Sequence, residues 1–357
     1  MLGCKKILTI SFVSLLTACA GNSKIEVNTE SGEKPAFDMN GSVDVLQKTD
    51  NQVALASFRV VFITEGKRRQ TSENSGRWGS SGDVASSATV KTVLSGVDNN
   101  LMQNITDAAY NNFTSALTEK GFQVVPMAQV LASSEFKDLA KRGNGSTDST
   151  LKTVGKLFVD DKEDSSQYPT YSPTGLPLID SSFFCKQMEP LYDNLCLPKV
   201  ANDMGVSVMH VNYVVDFSSF DSSAKSGTNY SSNSNYANAE VSTGQNLHLK
   251  PQETGIKVIS KSGDSVVFTL SSPNPYQTTQ AFGESVEATS TTDKVVSGFA
   301  NVMGFLGGAS GGTARSDSTV TYEMQAQPDI YKDMVSNILM ASSKELAWTM
   351  NYYRNTK

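Results

Sequence analysis

A two-residue alternation of apolar and polar side chains recurs along this 357-residue chain and restricts what it can fold into. In residues 237–250, Ala237, Ala239, Val241, Thr243, Leu247 and Leu249 fall on one side, interrupted at Gln245. Asn238, Glu240, Ser242, Gly244, Asn246, His248 and Lys250 fall on the other. In 314–324, Ala314, Val320, Tyr322 and Met324 oppose Arg315, Asp317, Thr319, Thr321 and Glu323. Residues 84–94 repeat the pattern with Val84, Ala88, Val90 and Leu94, and 282–288 do so weakly. Successive side chains of a strand point to opposite faces, so each segment reads as a strand with one modestly apolar face. An antiparallel sheet wet on one side satisfies this, and so do the ~9–11-residue strands of a membrane barrel. Composition supports polar-faced β structure over a helical bundle: charged residues are only 18 %, with abundant Ser, Thr, Asn and Gly.

Other segments carry α/β periodicity. Val53 to Ile63 is rich in branched and aromatic residues and predicts a buried strand. Glu65-Gly66-Lys67-Arg68-Arg69 then reads as a charged, solvated turn, and the Ser/Gly-rich residues 70–83 as a mobile loop. Leu101, Ile105, Ala109, Phe113 and Ala116/Leu117 share one helical face, with Asp98 or Asn99 to cap the start and Gly121 to end it. A short strand, Phe122 to Val125, follows, then a helix from Met127 to Arg142. Residues 143–198 are loop-rich, and their acids Asp160, Asp161, Glu163 and Asp164 lack the spacing of a calcium loop. Val206 to Phe217 is apolar nearly throughout, as in a sheet covered on both faces. A last helix begins near Pro328, with Ile330, Met334, Ile338 and Ala341 on its apolar face and Leu346 and Trp348 near its end. The compact run Val295 to Leu306 reads as a core helix or a contact point for membrane or partner, and a Gly-rich stretch, 307–312, follows it. The expected fold is α/β (α+β): a central mixed sheet with flanking helices, plus β-hairpin insertions suited to an oligomeric barrel or collar.

The amino terminus sets the compartment. Lys5 and Lys6 precede the short apolar run Ile7 to Leu16, which has signal-peptide length and is too short to span a bilayer. Leu16-Thr17-Ala18-Cys19 resembles the bacterial lipobox, which implies removal of residues 1–18 and acylation of Cys19. By the same resemblance Ala20, where an aspartate would retain the protein in the inner membrane, points to the outer membrane. Acyl chains contribute about 0.8 kcal/mol per buried methylene, so several make a durable anchor. Residues 19–50 read as a polar, lipidated tether. Cys4 leaves with the signal and Cys19 is lipidated, leaving Cys185 and Cys196 in an oxidising compartment. A Cys185–Cys196 disulfide is the expected pairing; two buried thiols, or a metal pair without histidine support, are the alternatives.

Little catalytic chemistry is on offer. Gly308-Ala309-Ser310-Gly311-Gly312 matches the G-x-S-x-G elbow by letter. That elbow needs a strand before it, a helix after it and a histidine downstream, whereas His210 and His248 both lie upstream. His210 sits in an apolar run and reads as a sheet histidine; His248 lies on a polar strand face. The chain has no P-loop, dinucleotide fingerprint, H-E-x-x-H or paired C-x-x-C, so no catalytic residue, metal site or cofactor is expected. The net charge of −6 argues against nucleic acid as a partner.

The order strand 53–63, helix-Gly-strand 101–125, strand 206–217 and closing helix 328–349 resembles the curli-secretion lipoproteins (the CsgG-like group) and the related TolB amino-terminal domain. The lipobox at Leu16 to Cys19 fits the first of these. The resemblance implies a periplasmic α/β domain, here 51–219 with 325–357, and a β-hairpin-rich insertion at 220–324. It implies an outer-membrane lipoprotein facing the periplasm that oligomerises as a channel or ring component for export or surface-structure assembly. The alternative is a non-enzymatic accessory lipoprotein of a flagellar- or pilus-type envelope complex. An envelope hydrolase using Ser310 is a more distant third. The partners expected are membrane lipid through Cys19, further copies of the chain and other envelope or secretion proteins.

Overall fold

The computed structural model of the chain describes residues 35–47, 51–75, 83–142, 168–178, 197–229, 234–272, 276–278, 280–289 and 314–356. In chain order the elements are β1 (Phe37–Gly41), α1 (Asp44–Gln47), β2 (Gln52–Phe62), β3 (Glu65–Asn74), β4 (Val84–Ser95), α2 (Asn99–Glu119), β5 (Gln123–Val124), α3 (Met127–Ala132), α4 (Ser134–Arg142) and β6 (Thr170–Tyr171). They continue with α5 (Pro198–Met204), β7 (Ser207–Asn229), β8 (Ser234–Leu249), β9 (Gly255–Ile259), β10 (Ser265–Leu270), β11 (Gln277–Thr278), β12 (Gly283–Glu287), β13 (Ala314–Ala326) and α6 (Pro328–Asn355). The fold is mixed α/β, with two mixed sheets and no closed barrel among the described residues.

The central sheet runs β1-β10-β9-β7-β2-β5, with β6 on β2, β8 on β7 and β11 on β8. Its heart is the parallel pair β2 and β7, from Val53↔Ser207 to Phe62↔Val215. Every β2 residue after Gln52 is buried, which explains its unbroken apolar run. Helices α2 and α6 pack together on one face. Phe58 of β2 seats α2 on that face, meeting Tyr110 edge-on at 5.5 Å, Phe113 at 6.1 Å and, on β7, Tyr213 at 5.8 Å. Each fully buried ring of this kind contributes roughly 1.5–3 kcal/mol by area. The start of α2 is fixed by Asp98, whose carboxylate accepts the Leu101 N–H at 2.7 Å. Gly121 follows its end at φ +82°, a conformation that costs glycine little.

Three expectations need correction. The helix from Met127 to Arg142 is two helices, because Ser133 ends α3 and caps α4. The Ser133 hydroxyl accepts the Phe136 N–H and donates to Asp203 at 2.6 Å. The tether reading over 19–50 fails at its end, where β1 pairs with β10 and Phe37, Val45 and Leu46 are buried. The charged turn and mobile loop read over 65–83 give way to β3 across 65–74, paired in register with β4.

Strand β7 passes through residue 220 without a break, while β9 and β10, from within 220–324, pair into the central sheet. The β-rich part of the molecule therefore draws on both sides of that position.

Candidate interaction surface

The second sheet has the order β12-β13-β4-β3 and lies against the ribbon formed by the outer half of β7 and β8. At the junction Asn246 and Leu247 of β8 oppose Phe217 alone, a bulge that turns the ribbon out of the central sheet. The Asp216 carboxylate accepts the N–H groups of Phe217 and Ser218 at 2.7 and 3.2 Å and stabilises the bend.

The alternating segments become strands, and their even and odd faces have different fates. On β4, Ala88, Val90 and Leu94 are buried, while Lys91 and Val93 on the other face are exposed. On β8, Ala239 is buried and Val241 and Thr243 are half-buried, whereas Asn238, Glu240 and Ser242 are exposed. The modestly apolar faces thus turn toward each other inside a two-layer β module. Its interior is small and partly polar. The Thr92 and Ser218 hydroxyls meet at 3.3 Å between the layers. Gly66 lies under Phe220 and Thr92, where a Cβ would fall 2.9 Å from the ring.

The module is joined to the core by a change of bonding in mid-strand. From Ser57 onward β2 and β7 keep a parallel offset of 153 residues, as at Arg59 and Asn212. β3 follows β2 and keeps that offset against the outer half of β7. Here side chains replace the backbone ladder: Ser72 Oγ donates to the Lys225 carbonyl at 2.9 Å, and Asn74 Nδ2 donates to the Gly227 carbonyl. A second seam joins β8 to β12. There Gln245 donates to the Gly283 carbonyl and accepts the Phe282 N–H, both at 3.0 Å. Two hairpins and β13–β12 are thus held together along both sides by side chains.

The central sheet has a second polar feature on the face opposite α2 and α6. Ser57, His210 and Lys257 are in register across β2, β7 and β9, beside Arg59 and Asn212, and all five are buried. Arg59 Nε donates to Asn212 Oδ1 at 2.6 Å, and Asn212 donates to the Glu253 carbonyl at 2.6 Å. Burial, then the charges of Arg59 and Lys257, hold the His210 imidazole well below its ordinary range. His210 is therefore a neutral imidazole buried within the sheet. His248 is half-buried on β8 and donates from Nδ1 to the Asn246 carbonyl at 3.0 Å.

An open groove of about 440 Å³ lies by α5 and the β9–β10 turn, lined in part by Glu135, Lys199, Asn202 and Lys261. Its Asp203 serves the fold, fastening α4 through Ser133, and that hydrogen bond holds its carboxyl below the usual range. Among the described residues no three His, Cys, Asp or Glu side chains converge as a metal site. Cys19, Cys185, Cys196, Ser310 and the run 295–306 lie outside the described residues. The module's two seams were missed at the sequence level, because Ser72, Asn74 and Gln245 lie in polar contexts with no pattern of their own.

Comparison with protein-family models, curated proteins and solved structures finds no match.

Proposed function

We propose that this protein is a non-catalytic outer-membrane lipoprotein. It serves as a ring or scaffold component in export or surface-structure assembly, with its β module outside the bilayer and available to partners. The lipobox ending at Cys19 supports the anchor. One observation supports the module's placement: β3 has no apolar face. Its two sides are Glu65, Lys67, Arg69, Thr71, Glu73 and Gly66, Arg68, Gln70, Ser72, Asn74. A strand of a membrane barrel needs an outward apolar band, and charges at mid-bilayer cost about 2–4 kcal/mol each for Arg or Lys. The outward Lys91 of β4 and Asn238, Glu240 and Ser242 of β8 are equally unsuited to lipid. Among the described residues no helix is long and apolar enough to cross a membrane either.

The resemblance to curli-secretion lipoproteins makes a ring the favoured form, with neighbouring α/β domains side by side and modules forming a collar. The test is extraction in mild detergent, with size analysis, electron microscopy and planar-bilayer recording. A ring-shaped or otherwise ordered oligomer without conductance is the expected result. A stable monomer at native abundance would overturn the ring, and channel conductance would overturn the placement of the module.

A further inference from the structure

Helix α6 carries an aromatic feature that the β module does not use. Trp348 and Tyr352 stack one turn apart, with ring centroids 5.6 Å apart and planes 26° from parallel. Tyr352 is 49 % exposed. Tyr353 meets Tyr352 edge-on at 5.3 Å and packs against Phe268 at 5.8 Å, which ties the pair to the body of the molecule. Large rings on a rigid helix, apolar in body and polar at one end, suit the boundary between water and hydrocarbon.

Position selects the occupant. Glu345 lies on the same helical stripe, three residues before Trp348 and seven before Tyr352. Its carboxylate accepts the Ala36 N–H at 3.4 Å. From the other side, the Ser271 N–H and hydroxyl both donate to the Ala36 carbonyl, at 3.1 and 2.9 Å. Gln47 then donates to the Thr356 carbonyl at 2.6 Å, at the end of the helix. The chain arriving from Cys19 therefore joins the fold beside the Trp348–Tyr352 pair. Fully extended, the stretch from Cys19 to Pro35 spans at most roughly 55 Å. Pro328, where α6 leaves β13 and the module, lies twenty residues before Trp348, or about 30 Å along the helix axis.

We infer that Trp348 and Tyr352 form a membrane-contact point that settles into the headgroup layer of the phospholipid surface to which Cys19 tethers the domain. This rests on the lipid-anchored reading. The acyl chains supply the attachment, and the aromatic pair supplies orientation. It turns the carboxyl end of α6 toward the bilayer and directs the β module away from it.

The test uses the full acylated chain carrying Trp78→Phe, which leaves Trp348 as the single tryptophan. The protein is reconstituted on phosphatidylethanolamine–phosphatidylglycerol vesicles with plain or brominated acyl chains, and circular dichroism checks the fold. The expected result is co-flotation, loss of Trp348 emission in the brominated vesicles, and recovery of that emission's acrylamide sensitivity after detergent-free release by a lipase. A protein that floats but keeps unquenched, acrylamide-accessible Trp348 overturns the contact and leaves the anchor standing. Shielding from acrylamide without bromolipid quenching overturns it in favour of a cover from this chain or a second copy. A protein that does not float overturns the anchor, and the contact with it.

Discussion

Replacing Ser72 and Asn74 together by alanine should detach β3 from the outer half of β7 while leaving β2 on the inner half. Each bond joins two neutral groups, so each contributes about 0.5–1.5 kcal/mol net. Ser72 is 6 % exposed, and water cannot readily replace its hydroxyl at the Lys225 carbonyl. Its loss should fall in the upper half of that range. Asn74 is only half-buried and belongs in the lower half. The double variant should lose roughly 1.5–2.5 kcal/mol, with some coupling because the two residues serve one seam. Urea denaturation reads the total, and amide hydrogen exchange reads the place. Exchange should quicken in 65–74 and 218–229 and stay unchanged in 53–62 and 207–215. Thr71→Ala, on the exposed face of β3, is the control and should change stability by less than about 0.5 kcal/mol. Unchanged exchange in both outer segments, or equal loosening of the central sheet, would refute the side-chain seam.

Other outcomes follow from the core and the cysteines. Asn212→Leu removes the acceptor of Arg59 Nε and the donor to Glu253, both buried, and should cost roughly 2–4 kcal/mol by denaturation. The His210 pKa is lowered in the fold, so the unfolded chain takes up the proton first as pH falls. The stability that neutral His210 preserves is therefore complete above its ordinary pKa of about 6.5 and declines as pH falls below it. His210→Gln should flatten that part of a thermal-melt pH profile, and an unaltered slope would exclude His210 as its source. Mass spectrometry of an unreduced digest should recover a linked Cys185–Cys196 peptide that separates on reduction; free thiols at both positions would remove the bridge.

The elements legible in the sequence were those whose burial leaves a period. Val53 to Ile63 announced β2 because β2 is covered on both faces. Leu101 to Leu117 announced α2, and Asp98 is the residue that caps it. The alternations at 84–94, 237–250, 282–288 and 314–324 became β4, β8, β12 and β13. β3 was illegible for a physical reason: it buries little, and its polar side chains do the bonding that an apolar face would do elsewhere. The break at Ser133 was hidden as well, since Asp203, which accepts the hydroxyl of the capping Ser133, is 70 residues away.

By itself, the sequence determined the strands and helices that bury a regular face, β2, β4, β8, β13, α2 and α6 among them, because those follow from local periodicity. It also carries Leu16-Thr17-Ala18-Cys19, four adjacent residues that resemble a lipobox. What covers the apolar faces was a tertiary decision. The alternation fits lipid or a second layer equally well, and the two layers are brought together by the register carried from β2 into β3, 153 residues from β7, and by the Gln245 seam between β8 and β12. Pairing over such separations depends on chain geometry that no local pattern encodes.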